Sequence, residues 1–344
     1  MRGSAVVIGG GIAGLTTARR LLACGWRVEV RERSGGLPDA GTALGMWPEA
    51  MEALDRVGVG DRVRTRSVAQ HGAALLRPDG TVIARLGQSQ SARLVSRPTL
   101  LAALAEGLPS GVVAWHAPVP DLGALPEADV VVAADGLHSI ARAAAFGGSA
   151  AARPLGTVAF RGTVPGRVDG VTETWGRGRL FGITPRDGGI NWFACARADL
   201  VGPGETDPAE LLRRLYRGWH PAVTAILDAL DDATIDRRTL FDVPPLRTYV
   251  SGRTVLVGDA AHAMAPNLGR GACESLVDAV TLAEALAAGT TPEEGLFRYD
   301  RLRRRPTQRI ARMSRLLNRA STAVRLTGPR DALVSAMAPH VGGP

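Results

Sequence analysis

The chain has 344 residues, which is enough to bury a large core and is typical of two domains rather than one. Its 41 basic residues, all arginine, outnumber 33 acidic residues and give a formal net charge of +8. The absence of lysine excludes a Schiff-base lysine, a P-loop lysine and a lysine general acid.

The excess positive charge permits binding to nucleic acid or to a membrane surface. It is concentrated in residues 301–319, where no aromatic residues are interleaved with the arginines. That pattern favours a solvated helix face, so we expect neither a nucleic-acid partner nor a membrane partner.

Three cysteines, Cys24, Cys195 and Cys273, lie far apart, so neither a disulfide framework nor a CxxC metal site is indicated. The short apolar run at residues 5–8 is interrupted by glycines, unlike a signal peptide, and no apolar run approaches the roughly 20 residues of a membrane helix. We therefore expect a cytoplasmic protein.

Residues 4–33 have the pattern of a βαβ unit with Gly9-x-Gly11-x-x-Gly14 between the first strand and the helix. Glu32 ends the second strand, about twenty residues after the loop. This spacing is typical of a dinucleotide site, in which glycines approach a pyrophosphate and the acid binds a ribose diol. The pattern alone does not distinguish FAD from NAD.

The next segments alternate between helix and strand. Residues 41–45 could run alongside a cofactor, and Pro48 begins a helix whose apolar positions belong to the core. From His71 two strands flank a turn at residues 78–80. A helix then starts at Ser96, and Arg97 at that start is either a surface residue or the neighbour of an anionic ligand.

Residues 112–119 predict a short strand, and the apolar run 130–134 predicts a central parallel strand. Asp135 and Gly136 end that strand, and a helix containing Ser139 and Arg142 follows. From residue 154 to residue 243 the pattern changes to alternating strands separated by turn residues, which is typical of an antiparallel sheet. An α/β unit interrupted in this way indicates a discontinuous domain with an inserted one.

The segment 253–279 contains a buried strand, then Gly258-Asp259, a loop with a proline, and Gly269-Arg270-Gly271 opening a helix. A strand-end carboxylate can bind a ligand hydroxyl, and a helix start offers free N–H groups to negative charge. Such a site would suit a reduced flavin. We expect helix from there to the end, kinked at Pro306. His262, the histidine in this segment, is more often structural in such a setting.

No HExxH motif, close His/Cys pair or calcium-binding loop is present, so we expect no metal site. A GxSxG nucleophile motif is also lacking. The residues alone assign no catalytic group.

Together, three motifs resemble those of the group A FAD-dependent aromatic hydroxylases, similar to salicylate and p-hydroxybenzoate hydroxylases. They are the glycine motif with Glu32, the Asp-Gly motif at 134–142, and the Gly-Asp motif from 258 to 278. The likeness extends to residues 41–61, 96–104 and 175–194, so it spans most of the chain. Three motifs in this order are more specific than any one of them.

The resemblance implies a role for each matching position. The residues that it places around FAD are Gly9, Gly11, Ala13, Gly14, Glu32, Arg33, Arg97, Val119, Asp135, Asp259, Gly271 and Ala272. The first four would approach the pyrophosphate. Glu32 would hold the adenosine ribose with Arg33 beside it, and Val119 would offer backbone to the adenine end.

For the flavin half of the cofactor, the resemblance places Arg97 near the flavin and phosphates. Asp135, with Arg142, would support the pyrophosphate and the approach of the reductant. Asp259 would bind the ribityl chain, and the backbone N–H groups of Gly271 and Ala272 would face the pyrimidine edge.

The implied fold is α/β: a Rossmann-like FAD-binding domain of the glutathione reductase type, an inserted, mostly antiparallel β-sheet substrate domain, and C-terminal helices. We expect the FAD-binding domain to comprise residues 1–70, 92–150 and 246–290. The substrate domain would comprise 71–91 and 151–245, and the C-terminal helical segment 291–344.

The implied activity is hydroxylation or epoxidation of an aromatic, phenolic or indole-like small molecule with NADPH or NADH and O2, through a flavin 4a-hydroperoxide. The protein would act as a monomer or homodimer in secondary metabolism or aromatic catabolism. Two alternatives stay open, a flavin oxidoreductase without oxygen insertion and a non-catalytic flavin-fold protein that binds a metabolite. Flavin halogenases are excluded, because they use a catalytic lysine.

This chain departs from the family at two positions. Arg270 replaces a common glutamine, and Glu49 stands where asparagine is common. Arg270 is therefore a candidate contact for an anionic substrate or for the nicotinamide phosphate.

Overall fold

A computed structural model describes residues 2–70, 72–86, 92–186, 188–202, 204, 206–231 and 234–337. The strands within these residues are β1 (Ser4–Ile8), β2 (Arg27–Arg31), β3 (Ala43–Met46), β4 (Val68–Ala69), β5 (Ala73–Leu76), β6 (Val82–Leu86), β7 (Arg93–Ser96), β8 (Val113–Ala114), β9 (Val130–Ala133), β10 (Arg153–Val164), β11 (Val171–Trp175), β12 (Arg179–Arg186), β13 (Gly189–Arg197), β14 (Asp236–Asp242), β15 (Val250–Ser251) and β16 (Thr254–Leu256).

The helices are α1 (Ile12–Ala23), α2 (Pro48–Arg56), α3 (Gly60–Thr65), α4 (Arg97–Ala105), α5 (Ile140–Phe146), α6 (Ala198–Val201), α7 (Pro208–Leu215), α8 (Pro221–Asp228), α9 (Asp259–His262), α10 (Gly271–Ala288), α11 (Pro292–Ser321) and α12 (Thr327–Met337). Short 3₁₀ turns occur at Leu122–Ala124, Gly148–Ala150 and Pro266–Leu268.

The first large sheet has six strands in the order β15-β16-β9-β1-β2-β8. All neighbouring pairs are parallel except the terminal pair of β15 and β16. Strand β9 is buried at every position, as its apolar sequence requires of a central strand. The carboxyl ends of β16, β9, β1 and β2 consequently lie side by side at one edge of the sheet.

The second large sheet has seven strands in the order β14-β10-β13-β12-β11-β5-β6. Its pairs are antiparallel apart from β5 and β11, which run parallel. One face packs against α7 and α8, where Phe181 stacks on Trp192 at 5.8 Å between ring centroids. The other face turns towards the first sheet's domain, since the Asn191 side chain on β13 accepts a hydrogen bond from the Ala43 N–H on β3. The α/β fold with its mostly antiparallel second sheet is as predicted.

A small third sheet, in the order β3-β7-β4, was not anticipated from the sequence. Residues 43–46, which overlap the stretch 41–45 expected to run beside a cofactor, pair antiparallel with β7. The pairing joins residues about fifty positions apart, so no local sequence pattern predicts it. It brings Arg97, which directly follows β7, next to Gly41.

The C-terminal helices connect the two large sheets. Helix α11 buries a stripe of small and polar residues, among them Thr307, Ser314 and Asn318. Asn318 donates a hydrogen bond to Thr157 on β10 at 3.1 Å, while Arg303 reaches Asp278 on α10. Helix α11 therefore contacts both the six-stranded and the seven-stranded sheet regions.

Two expectations need correction. The strand predicted at 112–119 is only Val113–Ala114, and His116 follows with a φ of 54°, which takes the backbone out of the extended conformation. The arginine-rich run is only partly solvated, because Arg303 is buried in ion pairs with Glu274 and Asp278. Pro306 lies inside helix α11, as expected, and the kink there stays a prediction.

His71, the first residue of the predicted hairpin, and residues 87–91 lie outside the described residues. The domain boundaries stay a prediction. Among the described residues, no helix combines the length and the apolar character needed to cross a bilayer.

The turn between β1 and α1 generates a first prediction. A Cβ at Gly14 would lie 1.9 Å from the carbonyl oxygen of Gly9, whereas a Cβ at Gly11 would meet nothing within 4 Å. We expect Gly14→Ala to lower the free energy of unfolding by about 1–3 kcal/mol through overpacking. Gly11→Ala, the matched control, should leave it unchanged in protein prepared without bound cofactor, as measured by denaturant unfolding. Equal stability of the two variants would contradict this account of the turn.

Candidate functional site

Four residues singled out from the sequence lie one to three positions after the ends of neighbouring parallel strands. In the order of the sheet they are Asp259 after β16, Asp135 near the end of β9, Gly9 after β1 and Glu32 after β2. The row crosses three gaps between strands, about 14 Å at about 4.8 Å per gap. An edge of this kind is where open α/β sheets bind their ligands.

The turn between β1 and α1 packs closely against the end of β9. Gly9 has a φ of +101°, and a Cβ there would lie 2.5 Å from the carbonyl oxygen of Ala134. Gly11 precedes α1, and no side chain caps that helix start. Of the four glycines of this turn, at positions 9, 10, 11 and 14, only Gly11 has open space where a Cβ would lie. The free N–H groups of the first helical turn, including that of Ala13, can therefore face an anionic group placed there.

The carboxylate of Glu32 lies at the next position along the edge, after β2. One oxygen accepts the N–H of Gly10, and the other accepts the N–H of Ser34 at 2.8 Å. Burial raises the pKa of Glu32, but the hydrogen bonds from Ser34 and Gly10, together with the charge of Arg33, more than offset it and leave the pKa lowered. Each oxygen keeps a second lone pair, so the ionised side chain can still accept from a diol.

Asp135 has one satisfied and one unsatisfied oxygen. Its Oδ2 accepts the N–H of Ile140 at 2.8 Å, whereas the buried Oδ1 has no hydrogen-bond partner among the described residues. An unpaired buried carboxylate oxygen is costly, and such atoms mark positions where a ligand or water completes the bonding. The expectation that Asp135 faces a ligand therefore fits its surroundings.

Arg142 stabilises the same region by a different route. Its guanidinium donates to the backbone carbonyls of Ala150, Ala260 and Leu137, and the side chain is buried. These contacts tie α5 to the start of α9, which begins at Asp259. Arg142 thus positions α5 and the start of α9 relative to each other, through its hydrogen bonds to backbone carbonyls.

Three elements converge at Gly258. Its φ is +59°, and a Cβ there would lie 2.7 Å from Ser275 Oγ on α10 and 3.1 Å from Ala13 Cβ on α1. The next residue, Asp259, has an exposed carboxylate that forms no hydrogen bond within the described part of the chain. A Cβ at Gly271 would lie 3.9 Å from Asp259 Oδ1. The acid therefore sits beside the start of α10.

The start of α10 also lacks a side-chain cap, so the N–H groups of Gly271 and Ala272 are available. Arg270 occupies the capping position without filling that role. Its guanidinium pairs with Glu274 at 2.8 Å and reaches Glu49 on α2 at 3.4 Å. An incoming anion would compete with the partly exposed Glu49 for this arginine.

Behind this helix start lies a buried chain of charges. Asp278 accepts hydrogen bonds from His262 Nε2 and Arg303 Nε, both at 2.6 Å, and from the N–H of Gly258 at 2.9 Å. Arg303 also donates to Glu274 at 2.6 Å. The chain connects α9, α10 and α11, and it ends at Arg270.

The protonation states follow from this pairing. Burial opposes ionisation of Asp278, but the His262 and Arg303 charges outweigh it and lower its pKa to about 2. Burial likewise disfavours the imidazolium of His262, and the Asp278 carboxylate offsets this and raises the pKa of His262. The sequence alone favoured a structural role for this histidine, and its buried hydrogen bond to Asp278 agrees with such a role.

The other predicted residues are less closely connected. Arg97 and Arg33 are exposed, and neither side chain is ion-paired within the described residues. Val119 follows a segment whose Ala117 N–H donates to the carbonyl of Glu32 at 2.9 Å. It therefore lies towards the Glu32 end of the edge, whereas Arg97 lies beside Gly41 and outside the row.

Sequence reasoning missed Ser275 and Arg303. Ser275 lines the close approach of Gly258. A usable signal for Arg303 was its spacing: it continues the buried positions Leu296 and Tyr299 along one face of α11.

The described residues contain no group of three or more His, Cys, Asp or Glu side chains placed to hold a metal ion. What the edge offers is two uncapped helix starts, an orphaned Asp135 oxygen and an unpaired Asp259. These features suit a long ligand with a diol at one end, a pyrophosphate near the middle and a flat anionic group at the other end. FAD has that chemistry.

Comparison with known proteins agrees with this geometry. A family model described as an FAD binding domain matches residues 2–107 and 126–314. The aurachin C monooxygenase/isomerase of Stigmatella aurantiaca is 31% identical over 324 residues, covering 87% of this chain and 84% of the relative. The 3-amino-4-hydroxybenzoate 2-monooxygenase PtnB3 of Streptomyces platensis is 33% identical over 347 residues, covering 90% of this chain and 86% of the relative.

Among solved structures, HpxO of Klebsiella pneumoniae, complexed with FAD and uric acid, superimposes with a TM-score of 0.86. The match covers 97% of this chain and 92% of HpxO, at 23% sequence identity. The fold is therefore that of an FAD-binding protein with an inserted sheet.

The buried charge chain generates a prediction for Asp278. Asp278→Asn removes the anion but leaves Arg303 and His262 in place, which should lower the free energy of unfolding by about 3–5 kcal/mol. Because the native pKa is lowered to about 2, the wild-type advantage is present above the unfolded pKa and is lost as the pH falls through the native value.

Denaturant unfolding between pH 7 and pH 2 measures this difference. Asp169→Asn, at an exposed position in the loop between β10 and β11, is the matched control and should match the wild type. A constant difference between wild type and Asp278→Asn over the whole pH range would contradict the assignment of an ionised, paired Asp278.

Proposed function

Because the chain belongs to the FAD-binding family of flavin-dependent monooxygenases, we propose that it uses NADPH or NADH and O2 to hydroxylate or epoxidise an aromatic, phenolic or indole-like small molecule. FAD is its cofactor, and monooxygenation is its reaction class. The reductant and the substrate class are the proposed part.

The row of strand-end groups carries the proposal. Asp259 would bind the ribityl chain, and Glu32 would bind the adenosine ribose with Arg33 and Val119 beside it. Between them, the pyrophosphate would lie in front of Gly11, within reach of the free N–H groups of α1 and near the unpaired oxygen of Asp135.

When bound, FAD would accept a hydride from the reductant and pass electrons to O2, chemistry that no side chain supplies. The protein's own contribution begins at α10. Its uncapped N–H groups at Gly271 and Ala272 are preorganised to stabilise negative charge at the pyrimidine edge. The buried pair of Asp278 and Arg303 holds that helix start in place.

The substrate would lie between the cofactor edge and the open face of the seven-stranded sheet, and this position excludes water from the reacting atoms. The relatives' names point to aromatic acids and heterocycles, which agrees with an aromatic acceptor. We propose a monomer or homodimer without a nucleic-acid partner. The scattered, unpaired cysteines are compatible with a cytoplasmic location.

The direct test has two parts. Purified protein should be yellow and release FAD on denaturation. It should then consume NADPH or NADH under air faster when phenols, indoles or polycyclic aromatics are added, with products heavier by one oxygen atom. Peroxide without oxygenated product would favour a flavin oxidoreductase, and binding without faster consumption would favour a non-catalytic binder. Protein that never takes up FAD would contradict the proposal.

We expect Asp259→Ala to weaken FAD binding by about 10- to 100-fold, because the cofactor loses a hydrogen bond to a charged group. Fluorescence titration of the apoprotein with FAD measures the change. Asp228→Ala, at an exposed position on α8, is the matched control and should bind FAD like the wild type. Unchanged affinity in Asp259→Ala would remove this residue from the cofactor site.

Arg270→Gln tests the family departure at α10. If this arginine meets the nicotinamide phosphate, the variant should raise KM for NADPH alone by about 10- to 100-fold. If it meets an anionic substrate, KM for that substrate should rise instead. Arg309→Gln, an exposed arginine on α11, is the control. Unchanged constants for both ligands would show that Arg270 serves only its ion pairs with Glu274 and Glu49.

A further inference from the structure

One acidic side chain of the inserted sheet is not explained by the cofactor site. Glu173 lies in β11, where the strand register pairs it with Gly182 on β12 and Leu75 on β5. The adjacent Thr174 bonds His220, which precedes α8 on the helix-covered face. Because neighbouring residues of a strand point to opposite faces, Glu173 points to the open face.

At Asn191 that open face meets the cofactor-binding region, and beside Trp175 it is packed by Leu317 of α11 and Val334 of α12. On β13 it carries Asn191, Phe193 and Cys195, which alternate with the helix-facing Trp192 and Ala194. Asn191 bonds the Ala43 N–H of β3, so this face meets the first domain directly.

The surroundings of Glu173 are apolar. Cys195 and Trp175 form a buried cluster, and Leu75 and Phe193 pack against it. The Trp175 Nε1–H donates to Glu173 Oε1. Burial raises the pKa of the Glu173 carboxyl, and burial raises the pKa of the Cys195 thiol to about 12.

Glu173 has no counter-ion in the described part of the chain. Arg161, a basic residue on the same sheet face, is paired with Asp236 at 2.8 Å. Arg330, above the Trp175 ring, is paired with Asp331 at 2.7 Å. Within the described residues the second carboxylate oxygen, Oε2, forms no hydrogen bond, and it is not one of the fully buried unpaired atoms.

A carboxylate in such a setting destabilises the fold unless something compensates it. The hydrogen bond from Trp175 does not require an acid at this position, since the amide oxygen of a Gln would accept it without the cost of desolvating a charge. Groups retained against such a cost are candidates for recognition of a ligand.

We propose that Glu173 determines substrate specificity, accepting through Oε2 a hydrogen bond from an O–H or N–H group on the aromatic ring of the substrate. This inference rests on the proposed function and narrows it. The preferred substrates carry a ring-bound hydrogen-bond donor, such as a phenol or an indole, and methylation of that donor makes them poor ligands.

Matched ligand pairs test the proposal in the FAD-loaded protein. The probes are 2-naphthol with 2-methoxynaphthalene and indole with 1-methylindole, and the readout is the perturbation of the flavin spectrum. The wild type should bind the donor of at least one pair about 10- to 100-fold more tightly than its methylated partner.

In Glu173→Gln the amide oxygen can still accept from Trp175, but the NH₂ group takes the place of Oε2 and donates. The preference within each pair should therefore shrink to near unity or invert. Glu52→Gln, at an exposed position on α2, is the matched control and should keep the wild-type preference. A preference that survives in Glu173→Gln would overturn the inference.

Thermal stability gives a second readout. If Glu173 serves recognition, Glu173→Gln should melt at or above the wild-type temperature at pH 7, whereas a structural acid would lower it. A lower melting temperature would contradict the proposal. FAD-loaded wild type that binds neither member of any pair would also count against it, because it would refute the substrate class.

These outcomes are distinct from a failure of the proposed function. That failure would appear earlier, as absent FAD uptake or absent NAD(P)H consumption in the wild type. A functioning monooxygenase whose selectivity is unchanged by Glu173→Gln would contradict the inference about Glu173 and leave the proposed function intact.

Discussion

The buried carboxylate of Asp278 is the interaction on which the ligand-binding edge depends. It accepts hydrogen bonds from the Gly258 backbone, from His262 and from Arg303, and it is fully buried. An anion removed from water must be compensated by all of its neighbours at once, so the elements that supply those neighbours are held together. The end of β16, α9, α10 and α11 consequently form one rigid unit. Asp259 is adjacent to Gly258 in this unit, so its carboxylate is positioned by packed secondary structure.

The cofactor edge was predictable because its parts are local. The glycines of the first turn, Glu32, Asp135 and Asp259 each lie at the end of an apolar strand. The carboxyl ends of parallel strands must meet at one edge of a sheet. Residues at the ends of such strands can be recognised in short segments of sequence. Their meeting at one site can therefore be predicted without knowledge of long-range contacts. The family resemblance then distinguished FAD from NAD, which the glycine pattern could not do.

Other features depend on pairings between distant segments. Arg303 lies in a run that looked solvated, and its partners Glu274 and Asp278 are on a different helix. The alternation along β11 shows that Glu173 and Thr174 face opposite ways, but it does not show which face α8 covers. That distinction requires the register of the whole seven-stranded sheet. The three-stranded sheet beside Arg97 was missed for the same reason.

Helix α11 has a consequence for how such proteins can be recombined. Arg303 of this helix forms a hydrogen bond with the cofactor-binding region, and Asn318 forms one with β10 of the inserted sheet. The helix therefore connects the two regions. A chimera that exchanged only the inserted sheet with that of a relative would separate Thr157 from the asparagine that contacts it. The transferable unit is therefore the sheet together with the second half of α11, although these segments are far apart in the chain. Exchange of the whole inserted sheet between relatives would then require linked changes at both places.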